Sequence, residues 1–363
     1  MKFIHIADVH LGATPDSNMP WANERQNEIW DSFRNVISVC NNEKVDLLLI
    51  AGDLFHKQPL IRELKEVNYL FSTLETARVV LMAGNHDYIG ARSNYVDFKW
   101  NDRVHMFLKD NIDELVFPDI NTAVYGLSYL TRDIKEAKYD DIEISKAGDN
   151  HLMAEPERIN ILLAHGGDDK NIPINRKRLL DKGFDYIALG HIHKPEIINK
   201  RMAYSGSLEP LDKNETGPRG YIIGEINEDG EKTIEIEFVS CSYREYKSIV
   251  MTVNQDMTNG ELIDMIKDEL HRQGEKHIYQ IYIRGFRDES IHFDKEAIYP
   301  LGNIIDLIDE SHPDYDFDAL YRENSDNLIG MFIDKIREAK NQEDIINEKA
   351  LYYGIEALLD ARE

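Results

Sequence analysis

The chain has 363 residues, of which 42% are hydrophobic and 30% are charged. These values are typical of a soluble globular protein, and the length predicts roughly two domains. Collagen-like, disordered and disulfide-scaffold proteins are therefore excluded. No apolar run reaches the roughly 18 residues that span a bilayer, and the first residues resemble a strand rather than a signal peptide. We therefore expect a cytoplasmic protein without membrane contact.

Charge and cysteine content narrow the class further. With 42 Lys and Arg against 67 Asp and Glu, the net charge is −25. This opposes a DNA-binding surface made of a general basic coat, so any nucleic-acid contact has to be local, metal-assisted or shared with a partner. Cys40 and Cys241 are too few for a disulfide framework or a thiolate metal site, and we expect reduced thiols.

The first two thirds of the chain alternate apolar runs with helical patterns, which is typical of an α/β core. Nearly continuous apolar runs predict strands covered on both faces, at 3–7, 45–51, 79–83, 123–127, 159–164 and 186–189. Helical periodicity covers 23–40 and 59–76, with Pro59 suited to a first helical turn. After Met202 the pattern changes to strands, and residues 222–226 and 233–239 predict a hairpin.

A smaller α+β domain is predicted to begin near Tyr246. Residues 248–253 and 278–283 have the pattern of strands, and a capping-box spacing from Thr258 to Glu261 predicts a helix through His271. The predicted division is 1–245, 246–320 and 321–363. The last part contains two amphipathic helices, 327–339 and 343–359, which either pack on their own domain or dock a partner.

The apolar stripes of these two helices can be read from the spacing. On the first helix the stripe contains Leu328, Met331, Phe332 and Ile336. On the second it contains Ile346, Leu351, Ile355, Leu358 and Leu359. We expect these side chains to form the contact face, whichever partner covers it.

Polar residues follow five of the predicted strands, at the point where each strand ends. They are Asp8 and His10 in DVHLG, Asp53 in GDLFH, Asn85, His86 and Asp87 in GNHD, His165 after ILLA, and His191 and His193 in GHIH. Because ligands of open α/β sheets bind beyond the carboxyl ends of strands, we expect these side chains to meet in one crevice.

This collection of side chains favours metal binding over a simple acid–base pair. Carboxylates and imidazoles in one crevice repel each other or lose hydration unless a cation compensates them. A mixed nitrogen and oxygen donor set without thiolate suits Mn²⁺, Fe²⁺ or Zn²⁺. Seven of these side chains are candidate ligands, which exceeds the needs of one ion, whereas two ions about 4 Å apart would use all seven and could clamp an in-line attack on phosphorus.

The five motifs together resemble the motif set of the calcineurin-like metallophosphoesterases. The wider context, with DVHLG, GDLFH, GNHD, GHIHKPE and YSGSLEPL, resembles the SbcD-type DNA repair nuclease subunits. This resemblance covers about residues 1–210 and implies a two-sheet αββα sandwich. It also implies that the α+β unit is a capping domain that positions DNA, followed by C-terminal helices.

The resemblance assigns a role to each site residue. One ion would be held by Asp8, His10, Asp53 and His193, and the other by Asp53, Asn85, His165 and His191, so that Asp53 bridges the two. His86 would face the scissile phosphate and stabilise the transition state or protonate the leaving oxygen. His56 resembles a second histidine on the phosphate side. Two divalent ions, Mn²⁺ above all, are the implied cofactors.

Three functions remain open at this point. The first is a Mn²⁺-dependent DNA nuclease subunit, exonuclease or endonuclease, of a double-strand-break repair complex, with DNA, an SbcC-type (Rad-fifty-like) ATPase and a second copy of the chain as partners. The second is a phosphodiesterase or phosphatase acting on nucleotides or small phosphoesters. The third is a non-catalytic scaffold that keeps the metals for stability.

No individual DNA-binding residue is identified, but two basic strips are candidates. The first contains Arg92, Lys99 and Arg103, and the second Lys170, Arg176, Lys177 and Arg178. Asp168 and Asp169 after the HGG sequence are expected in a solvated loop, and Asp87 is expected to cap a turn or orient a neighbour. The remaining histidines are expected to be ordinary core or surface imidazoles, namely His5, His105, His151, His271, His277, His292 and His312.

Overall fold

The computed structural model describes residues 1–144, 158–228, 232–339 and 344–361. His151, which was named above, and residue 343, where the last helix was predicted to begin, lie outside these residues. The chain divides into two compact units, Met1–Tyr246 and Lys247–Glu363. Within the described ranges, none of the helices combines the length and the apolar character needed to cross a membrane.

The first unit contains twelve strands and three helices in its described part. In chain order they are β1 (Lys2–Ile6), α1 (Ala22–Asn42), β2 (Leu47–Ala51), α2 (Ile61–Ser72), β3 (Arg78–Met82), β4 (Val104–Met106), β5 (Asp113–Phe117), β6 (Thr122–Gly126), β7 (Ile159–His165), α3 (Arg176–Leu180), β8 (Tyr186–Gly190), β9 (Glu196–Asn199), β10 (Met202–Tyr204), β11 (Gly220–Asn227) and β12 (Thr233–Ser240).

These strands form two six-stranded sheets. The first has the order β12-β11-β1-β2-β3-β4 and the second the order β5-β6-β7-β8-β10-β9. Strands β1 to β4 are parallel to one another, and so are β6, β7, β8 and β10. The outer strands are antiparallel additions. The carboxyl ends of the central strands therefore lie at one edge of each sheet.

Two hydrophobic clusters hold the layers together. Phe3, Leu49 and Met82 of the first sheet share one buried cluster with Val124 and Leu189 of the second, which places a core between the two sheets. The residues that alternate with them point to the opposite face, where they pack on α1 and α2. This alternation is what strands covered on both faces require. The predicted α/β fold with a two-sheet sandwich is confirmed.

Some elements differ from their predictions. The second helix begins at Ile61 rather than at Pro59, because Leu60 has an extended backbone and occupies the cap position. Strands β4, β5, β9 and β10 were not predicted, since each has only three to five residues and little continuous apolar sequence. Neither cysteine forms a disulfide, and burial raises the pKa of both thiols to about 12.

A buried ionic network attaches helix α1 to the segment after β10 that contains Glu209 and Pro210. Arg25 is fully buried and donates to Glu28 at 2.5 Å, to Glu209 at 3.2 Å and to the Pro210 carbonyl at 2.7 Å. Glu209 also accepts from the Ser32 hydroxyl at 2.5 Å. Because every partner is removed from water, the network is stable only while its charges stay paired.

The second unit contains a third sheet and a group of helices. Its elements are β13 (Tyr246–Val253), whose first residue still belongs to the first unit, α4 (Asn259–Gln273), β14 (Ile278–Arg287), α5 (Lys295–Ile298), β15 (Ile304–Pro313), α6 (Phe317–Glu323), α7 (Leu328–Glu338) and α8 (Asp344–Asp360). The sheet order is β13-β14-β15, and α4 packs on one face of it. The capping box is present, since Thr258 and Glu261 exchange hydrogen bonds at the start of α4. The predicted domain boundaries stay predictions.

The C-terminal helices pack within their own unit, and most of the expected contact residues take part. One apolar cluster contains Phe332 of α7 together with Leu351, Ile355, Leu358 and Leu359 of α8. Ile329 and Ile333 of α7 are buried against Ile355 of α8. In contrast, Leu328 and Met331, which the sequence placed on the contact stripe of α7, are 66% and 65% exposed. The helix has apolar residues on two faces, so spacing alone could not decide which of them is buried.

Replacing Arg25 with Met should destabilise the first unit strongly. The substitution leaves the Glu28 and Glu209 carboxylates buried without their partner, which costs about 3–5 kcal/mol. Urea unfolding followed by circular dichroism measures the change in the free energy of unfolding. Arg34→Met on the same helix is the matched control, because Arg34 pairs with Asp31 at the surface and should change stability by less than about 1 kcal/mol. Equal effects of the two substitutions would contradict this assignment.

Candidate metal centre

The loops that follow β1, β2 and β3 run side by side at the carboxyl edge of the first sheet. The backbone N–H of Asp8 donates to the Gly52 carbonyl at 3.1 Å, and that of His10 donates to the Asp53 carbonyl at 3.1 Å. The next loop joins them because the His86 N–H donates to Asp53 Oδ1 at 2.8 Å. The last residue of β7, His165, and the loop after β8 supply the remaining histidines from the second sheet.

The backbone at the candidate ligands is strained. Asp8, His10, Asp53 and His191 have φ values of 50°, 52°, 51° and 93°. Residues with a Cβ rarely adopt positive φ, and each such residue costs on the order of 1–3 kcal/mol. Four of the seven predicted ligands thus adopt a conformation that the surrounding structure has to enforce, which is typical of functional sites.

The ligands predicted for the first ion lie together. His10 Nε2 is 3.0 Å from His193 Nε2, so two imidazole nitrogens face each other directly. Asp8, His10 and His193 form a group whose potential ligand atoms lie within 4.8 Å of one another. Asp8 and His10 are completely buried.

The ligands predicted for the second ion also converge. Asn85 Oδ1 is 2.9 Å from His165 Nε2 and 3.1 Å from His191 Nδ1. A second group of potential ligand atoms, from Asp8, Asp53 and His165, also lies within 4.8 Å. All seven predicted ligands therefore meet in one pocket, although they are spread over nearly two hundred residues of the sequence.

Asp53 occupies the position between the two groups. Its Oδ2 is 3.9 Å from His10 Nε2 of the first group and 3.5 Å from His165 Nε2 of the second. Its Oδ1 is held by the His86 N–H. The Asp53 side chain is 2% exposed, so its charge is compensated by the pocket rather than by water.

The electrostatics of the pocket show a demand for positive charge. Burial opposes ionisation of Asp53, but His165 and His10 outweigh it and hold the pKa of the carboxyl below its ordinary value. Burial also opposes protonation of His165, but Asp53 outweighs it and raises the pKa of this imidazole to about 9. Without a cation, a proton on His165 has to balance the carboxylate.

Both histidines expected on the phosphate side lie beside the first group. The His86 ring centroid is 4.8 Å from that of His10 and 5.3 Å from that of His56. His86 Nδ1 is 3.1 Å from the His56 carbonyl, which can only accept, so Nδ1 carries the proton and Nε2 is left for a ligand. Burial and the neighbouring His86 lower the pKa of His56.

Hydrogen bonds on the far side of three rings orient the ligand nitrogens. His165 Nδ1 is 2.8 Å from the Ala51 carbonyl, His193 Nδ1 is 2.6 Å from Glu215 Oε1, and His191 Nε2 is 2.8 Å from Asp168 Oδ2. Such outer contacts fix the tautomer and the orientation of metal-binding histidines.

Several residues that support the site were not identified from the sequence. Asp168 was assigned to a solvated loop, but its carboxylate contacts His191, and Glu215 lies in no motif. Three buried tyrosines also hydrogen-bond the backbone of residues 165–166, namely Tyr129, Tyr139 and Tyr204. Asp87 does orient its neighbours, since it accepts from the backbone of Phe55 and Gly84. His5 is an ordinary core imidazole beside Tyr186.

The donor set fits divalent metal ions. Two facing imidazole nitrogens, a shared carboxylate and an amide oxygen offer lone pairs to a common space, with no thiolate among them. Nitrogen and oxygen donors of this kind suit Mn²⁺, Fe²⁺ or Zn²⁺.

Comparison with known proteins identifies the family of this chain. The family model described as calcineurin-like phosphoesterase matches residues 1–195. The chain is 27% identical to the uncharacterised metallophosphoesterase YhaO of Bacillus subtilis, over 80% of this chain and 73% of that protein. It is 27% and 28% identical to the DNA double-strand break repair protein Mre11 of Methanopyrus kandleri and of Halobacterium salinarum.

The two Mre11 alignments cover 69% and 68% of this chain but only 59% and 61% of those proteins. The family model covers more than half of the chain, and the protein therefore belongs to the calcineurin-like phosphoesterases, a family of metal-dependent hydrolases. The family resemblance inferred from the motifs is confirmed.

Replacing Gly84 with Ala should reduce metal binding. A Cβ at this position would lie 2.3 Å from Asp53 Oδ1 and 2.7 Å from the Asp53 nitrogen, so the carboxylate would have to move. We expect Mn²⁺ affinity, measured by isothermal titration calorimetry, to fall at least tenfold. Gly260→Ala on α4 is the control, because its nearest neighbour would be 3.9 Å away. Unchanged affinity in Gly84→Ala would contradict the assignment of Asp53.

Proposed function

We propose that the protein is a Mn²⁺-dependent DNA nuclease subunit that hydrolyses phosphodiester bonds with two metal ions. The observation that carries the proposal is the position of Asp53 Oδ2 between His10 and His165, since it offers one carboxylate to both groups of ligands. The similarity to Mre11 proteins supports DNA as the substrate.

The chain would hold the two ions as its motifs predict. Asp8, His10, Asp53 and His193 form the first set of ligands, and Asp53, Asn85, His165 and His191 the second. When bound, two divalent ions supply a water of lowered pKa and positive charge for the phosphoryl oxygens. The mixed nitrogen and oxygen donors support Mn²⁺, with Fe²⁺ and Zn²⁺ as alternatives.

His86 and His56 would act on the substrate rather than on the metals. His86 Nδ1–H is bound by the His56 carbonyl, which fixes the ring and leaves Nε2 beside the pocket. In its protonated form this nitrogen can donate to a phosphoryl oxygen or to the leaving oxygen. His56 is half-buried next to it and can add a second donor on the same side.

The two basic strips differ in how many of their charges are already paired, and this decides which of them is the better candidate for DNA contact. In the second strip, Arg176 binds Glu196 through both terminal nitrogens at 2.8 Å, and Arg178 binds Asp140 and Asp141. These two charges are already neutralised. In the first strip, Arg92 and Lys99 are exposed and form no ion pair with any residue that the structure describes. We therefore propose Arg92 and Lys99 as phosphate contacts.

Exposed apolar side chains form two surfaces that we propose as contacts with protein partners. On the C-terminal helices, Ile346 and Tyr353 are 63% and 61% exposed in addition to the exposed residues of α7, and we propose this surface as the dock for an SbcC-type ATPase. Around α2, Leu60, Tyr69 and Val96 are also exposed, and we propose this surface for a homodimer. The second unit would then position DNA.

Replacing His86 with Gln should separate turnover from metal binding. Loss of the acid–base group should reduce kcat about 10²- to 10⁴-fold with bis-p-nitrophenyl phosphate in Mn²⁺. The variant should still bind two ions, whereas Asp53→Ala should lose metal as well as activity. Elemental analysis after gel filtration measures the metal content. Full activity of the His86 variant would remove its proposed role.

Replacing Arg92 and Lys99 together with Gln should weaken binding to duplex DNA. Two lost phosphate contacts should reduce the slope of log affinity against log salt by about two. Fluorescence anisotropy with the His86→Gln protein as background avoids cleavage of the probe. Arg176→Gln with Arg178→Gln is the matched control, since these charges are already paired, and its slope should not change. Equal slopes for the two double variants would contradict the assignment.

Substrate class is tested by comparing linear duplex DNA, single-stranded DNA and bis-p-nitrophenyl phosphate in Mn²⁺. The proposal predicts cleavage of DNA, weakly and with strong salt sensitivity when no partner is present, because the net charge of −25 repels polyanions. Cleavage of the small ester alone would favour a phosphodiesterase for nucleotides or small phosphoesters. Metal binding without any turnover would favour a scaffold.

A further inference from the structure

The two histidines of the GHIH motif each contact a carboxylate on the side away from the pocket. His193 Nδ1 is 2.6 Å from Glu215 Oε1, and His191 Nε2 is 2.8 Å from Asp168 Oδ2. The carboxylates come from two different loops, one before β8 and one after β10. Neither residue belongs to the motifs that define the candidate ligands.

Each carboxylate is itself held in place by the backbone. Glu215 Oε2 accepts from the Leu211 N–H at 2.9 Å. Asp168 Oδ1 accepts from the N–H groups of Lys170 at 2.7 Å and Asn171 at 2.8 Å. In both cases one oxygen is fixed to the loop and the other is directed at an imidazole.

The two carboxylates select opposite ring nitrogens. An ionised carboxylate only accepts hydrogen bonds, so the ring nitrogen that faces it carries the proton. His193 therefore presents Nε2 to the pocket, where it lies 3.0 Å from His10 Nε2. His191 presents Nδ1, which lies 3.1 Å from Asn85 Oδ1.

We propose that Glu215 and Asp168 are positioning residues, each of which sets the tautomer of one histidine and thereby the affinity of one of the two metal positions. Glu215 acts on the position shared by His10 and His193, and Asp168 acts on the position shared by Asn85 and His191. The inference rests on the proposed two-metal centre and deepens it, because it gives the two positions separate supports.

The amide substitutions Glu215→Gln and Asp168→Asn test this directly. In each variant the oxygen can keep the backbone bond, so the amide NH₂ is left facing the ring. This group donates, which favours the tautomer whose proton points into the pocket. We expect each variant to weaken one of the two Mn²⁺ binding events by about 10- to 100-fold. The alanine variants leave the ring free to choose its tautomer and should weaken binding less.

The relative Mn²⁺ affinities of the amide and alanine variants separate a positioning role from a structural one. If the carboxylates only support their loops, alanine should be worse than the amide, because alanine removes the backbone acceptor as well. Calorimetric titration with Mn²⁺ measures both affinities, and electron paramagnetic resonance reports whether two ions are coupled. Asp169→Asn and Asp212→Asn are matched controls that remove a charge nearby without touching either ring, and both should bind Mn²⁺ like the wild type.

A double-mutant cycle assigns each carboxylate to its position. Glu215→Gln should have no further effect on Mn²⁺ affinity when His193 is already Ala, but should keep its effect when His191 is Ala. Asp168→Asn should have no further effect when His191 is already Ala, but should keep its effect when His193 is Ala. Wild-type affinity in both amide variants, or weaker binding in the alanine variants than in the amide variants, would overturn the inference. Wild-type protein that binds fewer than two ions would instead overturn the proposed function.

Discussion

A buried carboxylate that needs positive charge lies at the centre of the candidate site. Asp53 is 1% exposed, and imidazoles and the His86 N–H compensate its charge. Isolated ions in a protein interior are costly, so the pocket around Asp53 is stable only if protons or cations occupy the neighbouring donors. The other candidate ligands lie around this carboxylate and satisfy that requirement from two sheets at once.

The fold enforces this convergence through backbone geometry. Parallel central strands bring five loops to the same edge of their sheets, and four ligands take up positive φ where those loops turn inward. The convergence of the two sheets also requires a glycine where their backbones meet. A Cβ at Gly190 would lie 1.9 Å from the Ala51 carbonyl, so the second sheet can approach the first only because this residue has no side chain.

Much of the fold and of the candidate site could be predicted from the sequence. Buried parallel strands produce apolar runs that end abruptly, and the polar residues at those ends are local in sequence, so the motifs were visible. Short edge strands such as β9 and β10 carry no such signal. Glu215 was not found because its role depends on a contact with His193, 22 residues away, which no local pattern encodes.

The face of α7 that packs on α8 shows the same limit. Both stripes of this helix are apolar, and only the tertiary structure shows that Ile329 and Ile333 are the buried pair. Hydrophobic spacing predicts that a helix has a contact face, but it cannot choose between two faces of similar character.

Anomalous diffraction at the manganese absorption edge, from crystals grown with excess Mn²⁺, tests whether Asp53 is shared by two metal ions. Two anomalous peaks on either side of the Asp53 carboxylate, one towards His10 and one towards His165, are the predicted result. A single peak, or peaks that lie away from Asp53, would contradict it.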